Sequence, residues 1–185
     1  MAAVPANAII GCMDLRYPIG RFDFSQTVSS DARPGLIDDI RLAPELLRRA
    51  VEGLDHERLE TPYRPDGWTI RQVVHHLPDS HINCYVRFRL ALTEDEPKIK
   101  GYDEKKWAEL PDARNAPVAL SLALLEHLHE RWVRLMTALT EDDWARTFHH
   151  SEMGLRRLDV TLALYAWHGK HHTAQITHLR ERMGW

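Results

Sequence analysis

A chain of 185 residues has the length of one domain with a short additional segment. Its 24 basic and 27 acidic residues give a formal net charge of −3 at pH 7, which argues against nucleic acid and anionic membrane surfaces as partners. Two cysteines, Cys12 and Cys84, are too few for a disulfide framework or a thiolate metal site, whereas 12 histidines are many for a residue that commonly binds metals.

No segment has the pattern of a targeting signal. The N-terminal apolar stretch has no basic residues before it and is interrupted by Pro5, Asn7 and Gly11. The longest apolar run, around residues 118–125, is too short to span a bilayer. We therefore expect a cytoplasmic protein with no membrane partner.

The N-terminal segment differs from the rest of the chain. Residues 1–34 lack a sustained hydrophobic period, and we interpret them as an irregular arm whose first dozen residues are disordered. Residues 35–185 are predicted to form a single domain. Its first helix is predicted over residues 36–54, where Pro44 is expected to kink the helix or split it near Ala43.

A second helix is predicted over residues 69–93. Thr69 and Gln72 have the spacing of a capping box at its start, and Pro78 predicts a local distortion inside it. Residues 98–114 are polar and show no period, so they are predicted to form an irregular segment anchored by Trp107.

Two further long helices are predicted in the C-terminal half. Pro117 is a suitable first residue for one of them, and Asp159 is a suitable N-cap for the other. Between them lie a short capped turn around Trp144 and a brief hairpin or loop over residues 147–157. Four long helices joined by connections of varied length predict an all-α four-helix bundle.

His168 and His172 are the only histidine pair in this chain with a spacing of four residues. On a helix this spacing places both imidazoles on one face, one turn apart, where they can share a metal ion. The helical wheel favours this pair over the competing pair of His168 and His171, because it places His172 on the apolar stripe and His171 on another flank of the helix. Gly169 leaves room for an ion or a substrate, but the glutamate that supplies the general base of zincin proteases is absent there.

A third ligand would have to come from another helix, and the second helix offers His75, His76 and His81. Periodicity slightly favours His81, which lies nearest the centre of the apolar face, and it does not select His76. The choice stays open because Pro78 makes the helical wheel unreliable there. A pair of neutral, hydrogen-bonded histidines without any metal also remains an alternative.

The remaining histidines lie in predicted loops or at polar helix positions, where we expect solvated or capping roles. They are His56, His127, His129, His149, His150 and His178. Cys84 falls on an apolar face and is predicted to be a small buried hydrophobe rather than a nucleophile.

Two segments of the sequence resemble a known family. Residues 67–81, GWTIRQVVHHLPDSH, and residues 165–176, YAWHGKHHTAQI, are similar to the two metal-ligand helices of the YfiT branch of the DinB-like superfamily. Shorter matches, such as residues 17–20 and 102–107, extend the resemblance over nearly the whole chain from about Leu15. The resemblance implies a four-helix bundle, a homodimer, and one divalent ion bound by three histidines.

Matched onto this sequence, the ligands implied by the resemblance are His76, His168 and His172. Members of this branch are described as metal-dependent hydrolases. Related DinB-like proteins carry out transfer or isomerisation with low-molecular-weight thiols such as bacillithiol or mycothiol. One departure is Pro78, which stands where the family usually has a helix former, so a bend there would alter the aim of His76.

Three neutral imidazoles leave at least one coordination position open, which is the pattern of catalytic rather than structural zinc. Zinc is the expected metal, with nickel or iron as alternatives. The open position suits a water molecule, whose pKa would fall toward about 7, or a substrate thiol held as its thiolate. The hypotheses are a hydrolase of a small-molecule substrate, a metal-dependent thiol S-transferase, and a non-catalytic protein with a structural metal.

Several polar side chains near the implied ligands are candidates for orienting the imidazoles, although solvated helix positions explain each of them equally well. The candidates are Gln72, Asp79, Ser80 and Asn83 near His76, and Gln175 near His172. Arg71 and Arg87 are candidates for binding an acidic substrate or thiol. No general base is assigned.

Overall fold

Four long helices form a bundle in the computed structural model, which describes residues 14–185. The helices are, in chain order, α1 (Arg33–Val51), α2 (His56–Leu59), α3 (Ile70–Thr93), α4 (Glu104–Trp107), α5 (Pro111–Asn115), α6 (Val118–Thr137), α7 (Glu141–Ala145) and α8 (Leu158–Met183). The long helices α1 and α3 each pack against both α6 and α8. The predicted all-α four-helix bundle is confirmed. The disorder predicted for the first dozen residues lies outside the described part of the chain.

A small sheet closes one side of the bundle. Its strands are β1 (Lys98–Ile99), β2 (Thr147–His150) and β3 (Gly154–Arg157). The antiparallel pair β2 and β3 confirms a hairpin over residues 147–157, whereas β1 lies parallel to β2 with Lys98 opposite His149. Residues 98–114 were expected to be irregular but contain β1, α4 and α5. Among the described residues, no helix is long and apolar enough to cross a membrane.

Two apolar clusters fill the interior, one toward each end of the long helices. The first contains Phe88, Trp132 and Leu162, and the second contains Leu77, Leu125 and Ile176. Along each long helix the two clusters are separated by a short stretch of residues. In α3, α6 and α8 these stretches contain buried histidines, so a polar layer crosses the middle of the bundle. Such a layer is stable only if its members find hydrogen-bond partners or a metal.

Both internal prolines lie inside uninterrupted helices. Pro44 is buried within α1, so of the predicted kink or split near Ala43 the split does not occur, and α3 runs through Pro78 to Thr93. A proline has no N–H, and Pro44 therefore leaves the carbonyl of Ile40 without its usual helical donor. α1 also begins two residues before the predicted domain boundary at residue 35.

The helix N-termini confirm one of the three start signals predicted from the sequence and shift the other two by one or two residues. Thr69 Oγ1 accepts the N–H of Gln72 at 3.2 Å and Gln72 Oε1 accepts the N–H of Thr69 at 3.0 Å, which confirms the predicted capping box of α3. Pro117 is the N-cap of α6 rather than its first residue. Asp159 was predicted to be an N-cap, but Arg157 occupies that position and forms an ion pair with the Asp159 carboxylate.

Candidate metal centre

Three histidines from two helices converge in the polar layer of the bundle. His76 comes from α3, and His168 and His172 come from successive turns of α8. One ring nitrogen of each lies within 4.8 Å of the others, and the Nε2 atoms of His76 and His168 are 3.3 Å apart. The bundle therefore brings together the three residues that the family resemblance implied as ligands.

The spacing of two of these three nitrogens suits a small divalent cation. Zinc–nitrogen bonds of about 2.0–2.1 Å at a tetrahedral ion place two ligand nitrogens about 3.3 Å apart. The distance between His76 Nε2 and His168 Nε2 has this value. An all-nitrogen set of three donors also leaves a coordination position for a further ligand, so the residues present fit a catalytic type of metal site.

Burial keeps the three imidazoles in the neutral form that a metal requires. Desolvation lowers the pKa of His76 to about 4, with a smaller contribution from His171. Desolvation also lowers the pKa of His168 and of His172 well below its ordinary value, and neighbouring histidines add to the effect. Near pH 7 all three rings therefore carry a free lone pair for a cation.

The ring of His172 is held by Gln175, one turn further along α8. His172 Nδ1 donates to Gln175 Oε1 at 2.9 Å, which leaves Nε2 of His172 as the nitrogen with a lone pair. The amide nitrogen of Gln175 donates in turn to the carbonyl of Arg16 at 3.0 Å and lies 3.1 Å from His171 Nε2. Gln175 thus joins a ligand candidate to the N-terminal arm.

The close approach of α1 and α8 depends on Gly169. A Cβ atom built at Gly169 would lie 3.2 Å from the Cβ of Ala43 in α1. Such a contact is tighter than ordinary van der Waals packing, so a side chain here would require Ala43 to move by a few tenths of an ångström. The glycine between the two α8 histidines thus allows the α1 backbone to approach the histidine layer.

A cavity of about 770 Å³ leads from the surface to the three histidines. Its walls come from the N-terminal arm, the loop over residues 62–69, the segment over residues 104–114, and α8. Trp68 lies beside the histidines, with its ring centre 4.7 Å from that of His76. Four basic side chains also line the cavity, namely Arg16, Arg64, Lys105 and Arg114.

Known proteins share both the sequence and the fold of this chain. The family model of the DinB superfamily matches residues 39–176. Relatives from Bacillus cereus (strain ATCC 10987) and Bacillus mycoides (strain KBAB4) are each 52% identical over 172 residues, which cover 93% of this chain and 99% of each relative. Both carry the name "putative metal-dependent hydrolase".

The chain belongs to the DinB superfamily. The solved structure of YfiT from Bacillus subtilis matches it with a TM-score of 0.90 at 46% identity, covering 92% of this chain and 98% of that one. That protein is described as "a probable metal-dependent hydrolase with an unusual four-helix bundle topology". The resemblance to the YfiT branch is thereby confirmed.

In this DinB protein, most polar side chains proposed to orient His76 have other partners. The amide nitrogen of Gln72 donates to the Ala108 carbonyl and to Glu109, so it ties α3 to the cavity wall. Asn83 donates to the backbone carbonyl of Asp79 at 2.8 Å. The Asp79 carboxyl is half-buried, and desolvation raises its pKa to about 6. Ser80 contacts the Tyr165 hydroxyl.

The two arginines proposed to bind substrate lie away from this cavity. Arg71 pairs with Glu60 at 2.6 Å and donates to the Ala116 carbonyl, so it braces α3 against preceding and following loops. Arg87 is buried and contacts the Tyr165 hydroxyl, next to the hairpin. Neither arginine lines the 770 Å³ cavity, whose basic side chains were not among the predicted substrate-binding residues.

The expectation of a solvated or capping role is wrong for His129, which is only 1% exposed. His150 is buried rather than solvated, but its Nδ1 accepts the N–H of Glu152 at 3.2 Å, which is a capping role. The spacing of His129 from Leu125, Trp132 and Val133 places it on the apolar face of α6, so periodicity could have found it. His81 is completely buried and lies within 3.2 Å of His168 Nδ1, outside the three-histidine cluster.

Proposed function

We propose that this DinB protein is a metal-dependent hydrolase of a small-molecule substrate. His76, His168 and His172 would hold one divalent ion per chain, with zinc as the expected metal and nickel as the alternative. The observation that carries this proposal is the 3.3 Å approach of two imidazole Nε2 atoms at the floor of an open cavity, with a third imidazole beside them. A divalent ion held there is a Lewis acid, which makes water or a thiol a better nucleophile near neutral pH.

The chain itself contributes orientation, shape and charge to this site. Gln175 fixes the ring of His172, and Trp68 packs beside His76. Glu109 is the cavity carboxylate that the structure holds most firmly, since its two oxygens accept from Gln72 at 3.0 Å and Arg114 at 3.1 Å. These contacts pre-organise one wall of the cavity for a polar substrate.

Metal titration tests the proposal directly. Chelator-treated wild-type protein is expected to bind one equivalent of Zn²⁺, whereas His76→Ala and His168→Ala lose this binding because each removes one nitrogen ligand. His149→Ala, at an exposed position of the hairpin, is the matched control and keeps full stoichiometry. Equal Zn²⁺ binding by wild type and His168→Ala would contradict the proposed ligand set.

Circular dichroism of the same variants separates a functional site from a structural one. Loss of metal with an intact helical spectrum supports a functional site. Unfolding of His168→Ala together with metal loss would instead support a metal that only holds the bundle together.

The basic groups in the cavity favour a second candidate, a metal-dependent thiol S-transferase. Arg114 is paired with Glu109, so Arg16, Arg64 and Lys105 are the basic groups available to an acidic low-molecular-weight thiol such as bacillithiol. The cavity of about 770 Å³, which Asp66 and Glu104 also line, has ample room for it. A screen of esters, amides and other electrophiles with the zinc-loaded protein, with and without bacillithiol, separates the two. Turnover that requires the thiol would replace the hydrolase proposal by the transferase.

A further inference from the structure

A row of hydrogen-bonded histidines extends from the candidate metal ligands into the core of the bundle. His168 Nδ1 lies 3.2 Å from His81 Nε2, and His81 Nδ1 lies 2.8 Å from His129 Nε2. At the far end, His129 Nδ1 lies 2.6 Å from the carbonyl oxygen of Ile40 in α1. The row therefore connects three of the four long helices to His168.

The carbonyl at the far end fixes the direction of every hydrogen bond in this row. A carbonyl oxygen only accepts, so His129 Nδ1 carries the proton and donates to Ile40. A neutral imidazole has one N–H, which makes His129 Nε2 the acceptor from His81 Nδ1. By the same reasoning His81 Nε2 accepts from His168 Nδ1.

The end of the row is determined by the sequence of α1. Ile40 would normally accept a helical hydrogen bond from the residue four positions later, but that residue is Pro44, which has no N–H. The Ile40 carbonyl is consequently available to His129, which is 1% exposed and needs a buried partner. The proline that was expected to kink or split α1 thus frees the carbonyl that serves as the fixed acceptor of the row.

We propose that His81 and His129 are positioning residues that hold His168 in the Nδ1-protonated tautomer, so that its Nε2 lone pair points to the metal. This inference rests on the proposed metal site and extends it by two residues. A role in proton transfer does not fit, because the row ends at a peptide carbonyl and both inner rings are shielded from solvent. Fixing a ligand tautomer through its other nitrogen typically changes metal affinity by about 10–100-fold.

Zinc affinity of His129 variants tests the proposal. His129→Phe keeps a ring of similar size but lacks both hydrogen bonds, and we expect it to weaken Zn²⁺ binding about 10-fold. The side-chain amide of His129→Gln carries an N–H donor for Ile40 and an oxygen acceptor for His81, so this variant should recover most of the Zn²⁺ affinity. The matched control is His75→Phe, since His75 is also buried but bonds Ser121 and Ala116 rather than His168.

The outcomes distinguish this proposal from the metal site on which it rests. Failure of the wild type to bind Zn²⁺ would contradict the proposed function. Wild-type binding together with equal affinities of His129→Phe and His75→Phe would overturn the positioning role.

Nitrogen-15 NMR of the histidine rings gives a second readout that does not depend on metal or activity. In metal-free wild type, His168, His81 and His129 are each expected to be protonated at Nδ1. A His168 ring protonated at Nε2 would overturn the proposal. In His129→Phe we expect His168 to populate both tautomers.

Discussion

The side chain of Gln175 connects the candidate metal centre with the N-terminal arm. It accepts from His172, donates to the Arg16 carbonyl, and lies against His171. Because it is 3% exposed, its polar atoms depend mainly on these partners. Loss of its acceptor oxygen would release the His172 ring.

Two substitutions of Gln175 separate this orienting role from packing. Gln175→Leu removes the acceptor and is expected to lower Zn²⁺ affinity about 10–100-fold. Gln175→Glu keeps an acceptor for His172 and should retain affinity, although it loses the donor to Arg16. Competition with a chromophoric chelator measures the Zn²⁺ affinity of both variants. A larger loss of affinity in Gln175→Glu than in Gln175→Leu would refute the orienting role of Gln175.

At the residue scale the sequence predicted part of the candidate site. Helical spacing singled out His168 and His172, whereas His76 came from the family resemblance, against a slight preference for His81. Periodicity could not decide because His75, His76 and His81 are all buried, and it does not tell which neighbour a buried ring meets. His76 faces His168 Nε2, and His81 faces Nδ1 of the same ring.

At the element scale, the start of α3 is fixed by the capping box of Thr69 and Gln72. Thr69→Ala removes half of the capping box, and we expect a loss of about 1 kcal/mol in the free energy of unfolding, measured by urea denaturation. The same substitution at Thr140, which caps the five-residue helix α7, is the comparison. Thr140→Ala is expected to lose less unfolding free energy than Thr69→Ala, because α3 has a larger buried face than α7. A larger loss in Thr140→Ala would contradict this expectation.

The elements that the sequence missed or misjudged depend on distant partners. β1 has only two residues, and it exists because β2, about fifty positions later, pairs with it. Pro44 failed to split α1 because the helix is packed against α6 and α8. Capping boxes and amphipathic periods were predictable because all their parts lie within a few residues of each other.

At the scale of the whole molecule, the bundle has a polar layer between two apolar clusters. Its histidines are neutral in the folded state, since burial lowers the pKa of His129 to about 4 and the pKa of His81 well below its ordinary value. The unfolded chain protonates the same histidines near pH 6.5. Acid therefore favours the unfolded chain of the metal-free protein.

This difference predicts how stability depends on pH. The contribution of these histidines to stability is fully present above about pH 6.5 and is lost progressively as the pH falls toward about 4, by up to about 1.4 kcal/mol per pH unit for each group. Urea denaturation of the metal-free protein at pH 7.5, 6 and 5 measures it. His129→Phe removes one titrating group and should make the dependence shallower; equal stability at pH 7.5 and 5 would exclude the effect.

The assembly of the molecule stays a prediction. The family resemblance implies a homodimer, and its test is the mass of the particle in solution. The fold itself could be assigned from four amphipathic patterns and two motif matches.

Gly169 limits where new chemistry can arise in this protein. A Cβ atom at this position would lie 3.2 Å from the Cβ of Ala43, so a glutamate after the first α8 histidine would require α1 to give way by a few tenths of an ångström. The groups that can vary are those on the cavity walls, in residues 62–69 and 104–114. Wall residues that also hold α3, such as Thr69 and Glu109, are constrained by helix packing, whereas the side chain of Lys105 is exposed. Substrate preference and helix packing are therefore separable only at positions of the second kind.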